Sequence, residues 1–326
     1  MANENKFNFE LSYPVNVTDW DGKIITLVQD SSVRDELDVL RKTGVSWVMI
    51  AGFQVEEPLA FDICKGAESC GRLIAESGFK VSSHHCLMST FAPLDGTQKT
   101  VRGKMRKNVD FCSLLKTETL VIHPGRIDAK HETVATVYSG FENELKRHGI
   151  EKMLDSVAGN FRDMGEYAAK FGIRLALENM GRFEPLGDFE YLPELVRRIN
   201  LPNVGYCLDS GHAHAFGESV VKWVEIMGDK LLTTHFHDNR AKLAGVKLNS
   251  MFIGANKGND EHMSPGFGTI SWLDVLAALK KINYRYPVNF ETGGWPINDK
   301  VEGYKMAISW WRAAESMVRK NMQESS

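Results

Sequence analysis

The chain lacks the features that mark several whole classes of protein. Its five cysteines (Cys64, Cys70, Cys86, Cys112 and Cys207) are odd in number and form no Cys-x-x-Cys pair. That excludes a disulfide framework and a zinc knuckle, and leaves reduced thiols as the expectation. No apolar run reaches the roughly 18 residues that a membrane span needs. Neither sign of charge is in excess: 39 Lys and Arg against 42 Asp and Glu give a formal net charge of -3. Nothing here supplies the electrostatic footprint of a nucleic-acid or anionic-membrane binder. No Gly-x-Gly-x-x-Gly follows the first apolar strand, so no dinucleotide site is indicated. Met1–Asn8 is polar and without the apolar core of a signal peptide, so a soluble, cytoplasmic protein is expected. Internal repeats and low-complexity tracts are also absent.

What is present is an alternation. Hydrophobic residues make up 43% and charged residues 25% of the 326 residues, an ordinary balance for a chain that buries a sizeable core. Short β-branched runs at 8–13, 47–51, 80–84, 119–123, 174–178, 204–208, 231–236 and 287–291 are each followed by a segment of helical spacing. The helical segments lie near 33–42, 61–77, 99–115, 150–171, 191–199, 219–227, 271–281 and 301–319. In the fourth, Ile150, Met153, Leu154, Val157, Phe161, Met164, Ala168 and Phe171 form one apolar stripe, and Gly172 follows as a stop. Strands and helices in strict alternation predict an α/β fold with a parallel sheet, and eight of each predict a single (β/α)₈ TIM barrel over residues 1–326. Two connections, near 125–149 and 239–269, are longer than a barrel requires. Both lie on the side of the strand C-termini, where barrels build their pockets.

The chemistry is written at the strand ends. The third strand ends in His84-His85, the fourth in His123 and the fifth in Glu178, while the sixth runs into Asp209, the seventh into His235 and the eighth into Glu291. For Glu178 or Glu291 alone, an ion pair explains a carboxylate at a strand end as well as a metal does. For His123 alone, a hydrogen-bonded core histidine is the better account. Delivered together to one barrel mouth, these groups would be costly unless a cation neutralises them. The set Glu178, Asp209, His235 and Glu291 is therefore expected to ligate a divalent metal. Mixed imidazole and carboxylate ligation without cysteine suits Mn²⁺, the first expectation, with Mg²⁺, Co²⁺ and Zn²⁺ open. Adjacent strand residues face opposite sides, so only one of His84 and His85 can point inward, and His85 is the choice. His212, three residues after Asp209 on a strand-to-helix turn, and Asp260 and His262 on the long loop are brought toward the same mouth. His214 and His237 are read as supporting or surface residues.

The runs Leu175-Ala-Leu-Glu178-Asn, Leu208-Asp209-Ser-Gly-His212, His235-Phe-His-Asp238 and Pro265-Gly-Phe-Gly-Thr-Ile-Ser-Trp272 resemble those of the xylose isomerase-like TIM barrel superfamily. The resemblance covers about residues 8–291 and includes ketose 3-epimerases, sugar-phosphate isomerases and endonuclease IV. It implies a sugar isomerase or epimerase that abstracts a proton next to a carbonyl, on a ketose, sugar phosphate or oxo-sugar. Glu178 and Glu291 would then be an acid/base pair as well as metal ligands, and His212 and Arg240 would bind substrate oxygens. His85, His123, Asp260 and His262 would bind substrate or further metals. Two alternatives come with the same resemblance. One is the large subunit of a C-glycoside deglycosidase, a lyase on 3-oxo-glycosides with a small partner subunit. The other is an endonuclease IV-like nuclease, whose three-metal pattern His85, His123, Glu178, Asp209, His212, His235, Asp260, His262 and Glu291 would fill; the acidic net charge weighs against it. The implied partners are a small carbohydrate and either a homo-oligomer or a small second subunit, with neither membrane nor nucleic acid expected.

Overall fold

Residues that alternate between a helix-facing and an inward-facing side make strands that can close on themselves. The computed structural model describes residues 8–15, 18–20, 25–27, 30–50, 61–89, 98–125, 134–181, 184–240, 260–293 and 296–324. After β1 (Leu11–Val15) comes a small antiparallel hairpin, β2 (Thr18–Trp20) and β3 (Ile25–Leu27). The barrel continues with β4 (Trp47–Ile50), β5 (Lys80–Ser89), β6 (Thr119–His123), β7 (Arg174–Glu178), β8 (Val204–Asp209), β9 (Leu231–His235) and β10 (Val288–Asn289). These eight strands form one parallel sheet in the order β10-β1-β4-β5-β6-β7-β8-β9. Its two edges meet where the Phe236 amide donates to the Asn289 carbonyl (2.8 Å) and the Glu291 amide to the Phe236 carbonyl (3.0 Å). The result is a nearly closed (β/α)₈ barrel.

The surrounding helices are α1 (Asp30–Arg41), α2 (Phe61–Glu76), α3 (Gln98–Leu114), α4 (Val134–His148), α5 (Ile150–Ala169), α6 (Leu192–Ile199), α7 (Ser210–Ala215), α8 (Val220–Met227), α9 (Trp272–Lys281) and α10 (Lys300–Glu324). Met153, Leu154, Val157, Phe161, Met164 and Ala168 of α5 are buried, as their spacing expects. The helix ends at Ala169, so Phe171 lies beyond the stripe and is exposed. The connection at 125–149 is not the simple loop expected: α4 occupies its second half. Val134, Val137, Phe141 and Leu145 carry helical spacing that the flanking Gly125, Gly140 and Gly149 obscure, and Phe141 buries its ring against Tyr191. In the connection at 239–269, positions 241–259 lie outside the described residues. Cys70, Cys86, Cys112 and Cys207 are buried, and none of them forms a disulfide among the described residues.

Period two sorts the barrel interior into layers. On β6, Thr119 lies at the bottom, Val121 in the middle and His123 at the top; on β7 the corresponding residues are Arg174, Ala176 and Glu178. The middle layer packs Val121, Ala176, Cys207 and Leu232 together. Its other half is polar: Asn289 Nδ2 donates to Thr233 Oγ1 (2.6 Å) and Ser82 Oγ to Asn289 Oδ1 (2.6 Å). Register shifts beside Ser82 and Leu232 turn these two residues into the barrel.

One half-buried carboxyl beside α8 makes stability depend on pH. Burial pushes Glu218 up to about 7, against the bond it accepts from Trp223 Nε1 (2.6 Å) and with help from the nearby Asp188. The folded chain therefore keeps this proton up to about pH 7, whereas the unfolded chain releases it above its ordinary value of 4.5. The unfolded state gains over that window, so stability from this group is lost as pH rises from 4.5 to 7. Glu218→Gln should match the parent in Tm at pH 4, exceed it increasingly up to pH 7 and hold a constant gain above. A gain equal at all three pH values would contradict this assignment.

Candidate metal centre

Each strand's last inward residue arrives at the same mouth. His85 from β5, His123, Glu178, Asp209 and His235 at the ends of β6 to β9, and Glu291 two residues past β10 are brought together there. His85 is the inward member of its pair, while His84 turns out against Phe111 of α3, ring centroids 5.6 Å apart. Burial, with His85 beside it, lowers the His84 imidazole to about 3.

Glu178 and Glu291 face one another across two imidazoles. His235 Nδ1 lies 3.2 Å from Glu178 Oε1 and 3.5 Å from Glu291 Oε2. His85 Nε2 lies 3.4 Å from Glu178 Oε2, and its Nδ1 3.4 Å from Glu291 Oε1. The Glu178 side chain is 1% exposed and that of Glu291 17%, so the mouth opens on the Glu291 side. Asp209 stands slightly apart and reaches them through His212, whose Nδ1 is 3.6 Å from both Glu178 Oε1 and Asp209 Oδ1.

Beyond His212 the cluster extends outward. His212 Nε2 is 3.5 Å from Asp260 Oδ2, to which His262 Nε2 also donates (3.0 Å). His262 Nδ1 donates to the Glu291 carbonyl (3.0 Å), which ties the loop to β10. Its φ of 44° is a left-handed conformation uncommon for a residue other than glycine. His237 is fully buried here, its Nε2 3.0 Å from Asp209 Oδ1, with its ring stacked on His262 at 4.0 Å. Gly211 permits this, since a Cβ there would overlap the His237 ring.

Charges inside the cluster balance one another. Burial alone would raise the Glu178 and Glu291 carboxyls, but the imidazoles of His235 and His85 hold both below the usual carboxylate range. Burial likewise opposes the charged form of His262, yet Asp260 raises that imidazole to about 10. Burial opposes the charged forms of His212 and His235 too, but Asp209 and Asp260 raise the first, and Cys207, Glu291 and Glu178 raise the second. The imidazoles thus supply the positive charge that these carboxylates face, and a divalent cation would supply it with the imidazoles neutral.

Several residues support this arrangement without belonging to it. Glu184, fully buried, accepts from His123 Nδ1 (2.9 Å) and from the Gly125 amide (3.1 Å), which fixes the ring and turns His123 Nε2 toward His85 Nε2 at 3.0 Å. Asn179 donates to the Asp209 carbonyl (2.8 Å) and accepts from the Asp209 amide (2.7 Å). Asp238 accepts from the amides of Gly266 (3.0 Å) and Ile270 (3.1 Å) and from Trp272 Nε1 (2.7 Å). Arg240 points elsewhere, with Nη2 and Nε on Glu261 Oε1 (2.7 and 3.2 Å). His214 is half-exposed, its Nε2 2.7 Å from Thr269 Oγ1.

The residues fit a metal on two grounds. Both Glu178 oxygens and both ring nitrogens of His235 are buried without a hydrogen bond, an expense that a coordinated cation removes. Moreover, His85, His235 and Glu291, and separately His85, His123 and Glu178, bring ligand atoms within 4.8 Å of one another. All are imidazole or carboxylate donors, the set that suits first-row divalent ions.

A family model described as xylose isomerase-like TIM barrel matches residues 37–314. The chain is similar to inosose isomerase of Bacillus subtilis, 25% identical over 194 residues that cover 54% of this chain and 66% of that protein. It is also similar to a probable endonuclease 4 of Mycoplasma capricolum, 26% identical over 214 residues, 60% of each chain. Both matches thus span less than two thirds of the relative's length. Among solved structures, D-allulose 3-epimerase from Methylomonas sp. in complex with D-allulose superposes with a TM-score of 0.65 at 18% identity, covering 94% of this chain and 98% of that one.

Proposed function

The chain belongs to the xylose isomerase-like TIM barrel family, and from that premise we propose that it is a divalent-metal-dependent sugar isomerase or epimerase. The observation that supports this most is the facing of Glu178 and Glu291 across His235 and His85. Glu178, Asp209, His235 and Glu291 would hold the ion, Mn²⁺ first among the candidates. When bound, such an ion polarises a hydroxyketone and acidifies the adjacent C–H.

The remaining work falls to the side chains. Glu178, kept ionised by its imidazole neighbours, is placed to take a proton from the carbon beside the carbonyl, leaving an enediolate. Glu291, the more open carboxyl, is placed to return a proton from the opposite side. Return to the same carbon from that side inverts it, and return to the former carbonyl carbon shifts the carbonyl. His212, His262 and Asp260 edge the same mouth and would orient substrate hydroxyls, with His85 and His123 beneath them.

A second reading has its own support: His85, His123, His212, Asp260 and His262 adjoin the four proposed ligands. That is the three-metal pattern that the resemblance to endonuclease IV implies. One experiment separates the readings. The protein loaded with Mn²⁺ is incubated in D₂O with ketoses, sugar phosphates and 3-oxo-glycosides, and in parallel with duplex DNA carrying an abasic site. Deuterium entering a carbon-bound position of a sugar, without nicking, is the expected result. Nicking without deuterium incorporation would overturn the proposal in favour of the nuclease.

A further inference from the structure

The bottom of the barrel, opposite the candidate metal centre, holds a cavity of about 420 Å³. The middle layer of Val121, Ala176, Cys207 and Leu232 separates the two, and on β6 and β7 the cavity residue and the mouth residue stand two positions to either side of it. Thr119 and His123 on β6 and Arg174 and Glu178 on β7 are such pairs. The cavity is therefore not a rear extension of the mouth.

Three features give this cavity the character of a binding site. Arg174 is held in one orientation: its Nε and Nη2 donate to Thr119 Oγ1 (3.2 and 3.0 Å), Nη2 reaches Glu118 Oε2 (3.3 Å), and Tyr286 covers the guanidinium at 4.7 Å. Nη1 takes no part in these bonds. Lys280 and Arg285 line the same space, giving three cationic side chains against the two carboxylates Glu10 and Glu118. At the deep end the register shifts in β5 and β9 place Ser82 and Leu232 against the cavity, beside the Thr233 hydroxyl. Aromatic walls are provided by Trp47 and Tyr286. Oriented cations, buried hydroxyls and aromatic faces in a space of this size match a ligand with an anionic group and a hydroxylated, partly apolar body.

We propose that the cavity is a second ligand site that takes a monosaccharide-sized anion, a sugar phosphate or a sugar acid. The anionic group lies against Arg174 and Arg285, and the hydroxyls reach toward Ser82 and Thr233. Both hydroxyls are bonded to Asn289, two residues before Glu291 on the same chain segment, so occupancy is connected to the mouth through β10.

Calorimetric titration of the full chain with glucose 6-phosphate, gluconate, inorganic phosphate and glucose tests the assignment, on the parent and on Arg285→Gln, Arg174→Gln and Glu291→Gln. Arg285 is exposed, so its substitution leaves folding intact. Glucose 6-phosphate or gluconate is expected to bind the parent and Glu291→Gln alike, and to bind both arginine variants about tenfold or more weakly. Preference between the two sugars tells a phosphate from a carboxylate ligand. Glucose alone is expected to bind far more weakly. The proposal is overturned if no anion binds, if inorganic phosphate binds as tightly as the sugar anions, or if binding is lost in Glu291→Gln and kept in the arginine variants. None of these outcomes depends on the reaction proposed at the mouth.

Discussion

Replacing either Glu178 or Glu291 by Gln is expected to lower carbon–deuterium exchange by about a thousandfold or more, the scale of a positioned acid or base in proton transfer. The amide keeps the volume and removes both the proton-carrying group and a negative ligand. The double variant should be little worse than either single one, since residues that act as a unit are not additive. The two substitutions should differ in another respect. The Glu178 side chain is 1% exposed and that of Glu291 17%, so a proton on Glu291 exchanges with water faster than one on Glu178. Solvent deuterium should therefore enter the product mainly at the position that Glu291 protonates. Unimpaired exchange in both variants would remove the acid/base assignment, whatever the metal content.

The second large effect concerns stability. Asp238 lies fully buried just past β9 and receives three donors from the segment 266–272. That segment has little regular structure of its own before α9, and this carboxylate anchors it beside the backbone bonds of Met263 and Thr269 to Asp238 and Asn239. Asp238→Ala orphans the backbone amides of Asn239, Gly266 and Ile270 and the Trp272 indole N–H in a buried setting. A loss of about 3–5 kcal/mol is expected, seen as a fall in Tm on the order of 10 °C. Asp238→Asn, which keeps an acceptor, should fall in between. Thermal unfolding followed by circular dichroism measures both; an unchanged Tm for Asp238→Ala would show that the connection is held by other contacts.

How much of this was legible in the sequence depends on the kind of signal. The barrel was, because short β-branched runs and period-3.6 helices alternate eight times, and strands such as β6, β8 and β9 are buried along their whole length. The convergence at the mouth was legible for the same reason: His123, Glu178 and Asp209 end apolar runs whose length fixes where they stop. Strand alternation allowed only one of His84 and His85 to face inward, and the structure turns His85 in. α4 was obscured by glycines and charges around a short apolar pattern. His237, expected as a supporting or surface residue, proves to be a buried support of Asp209; it stands two residues after His235, and period two puts both on one side. Glu184 had none: it follows Glu178 by six residues in an irregular segment, and only the fold brings it to His123. The pairing of Arg240 with Glu261 across 21 residues is equally invisible to local patterns. The register shifts that turn Ser82 and Leu232 inward break the very periodicity from which a sequence is read.

The central claim is that a divalent ion held by Glu178, Asp209, His235 and Glu291 serves proton transfer at the mouth of the barrel. Metal content and deuterium exchange, measured on the same preparation before chelation, after chelation and after addition of Mn²⁺, test it most directly. At least one divalent ion per chain, exchange lost with its removal and restored by Mn²⁺, is the predicted result. Full exchange by the metal-free protein would contradict it.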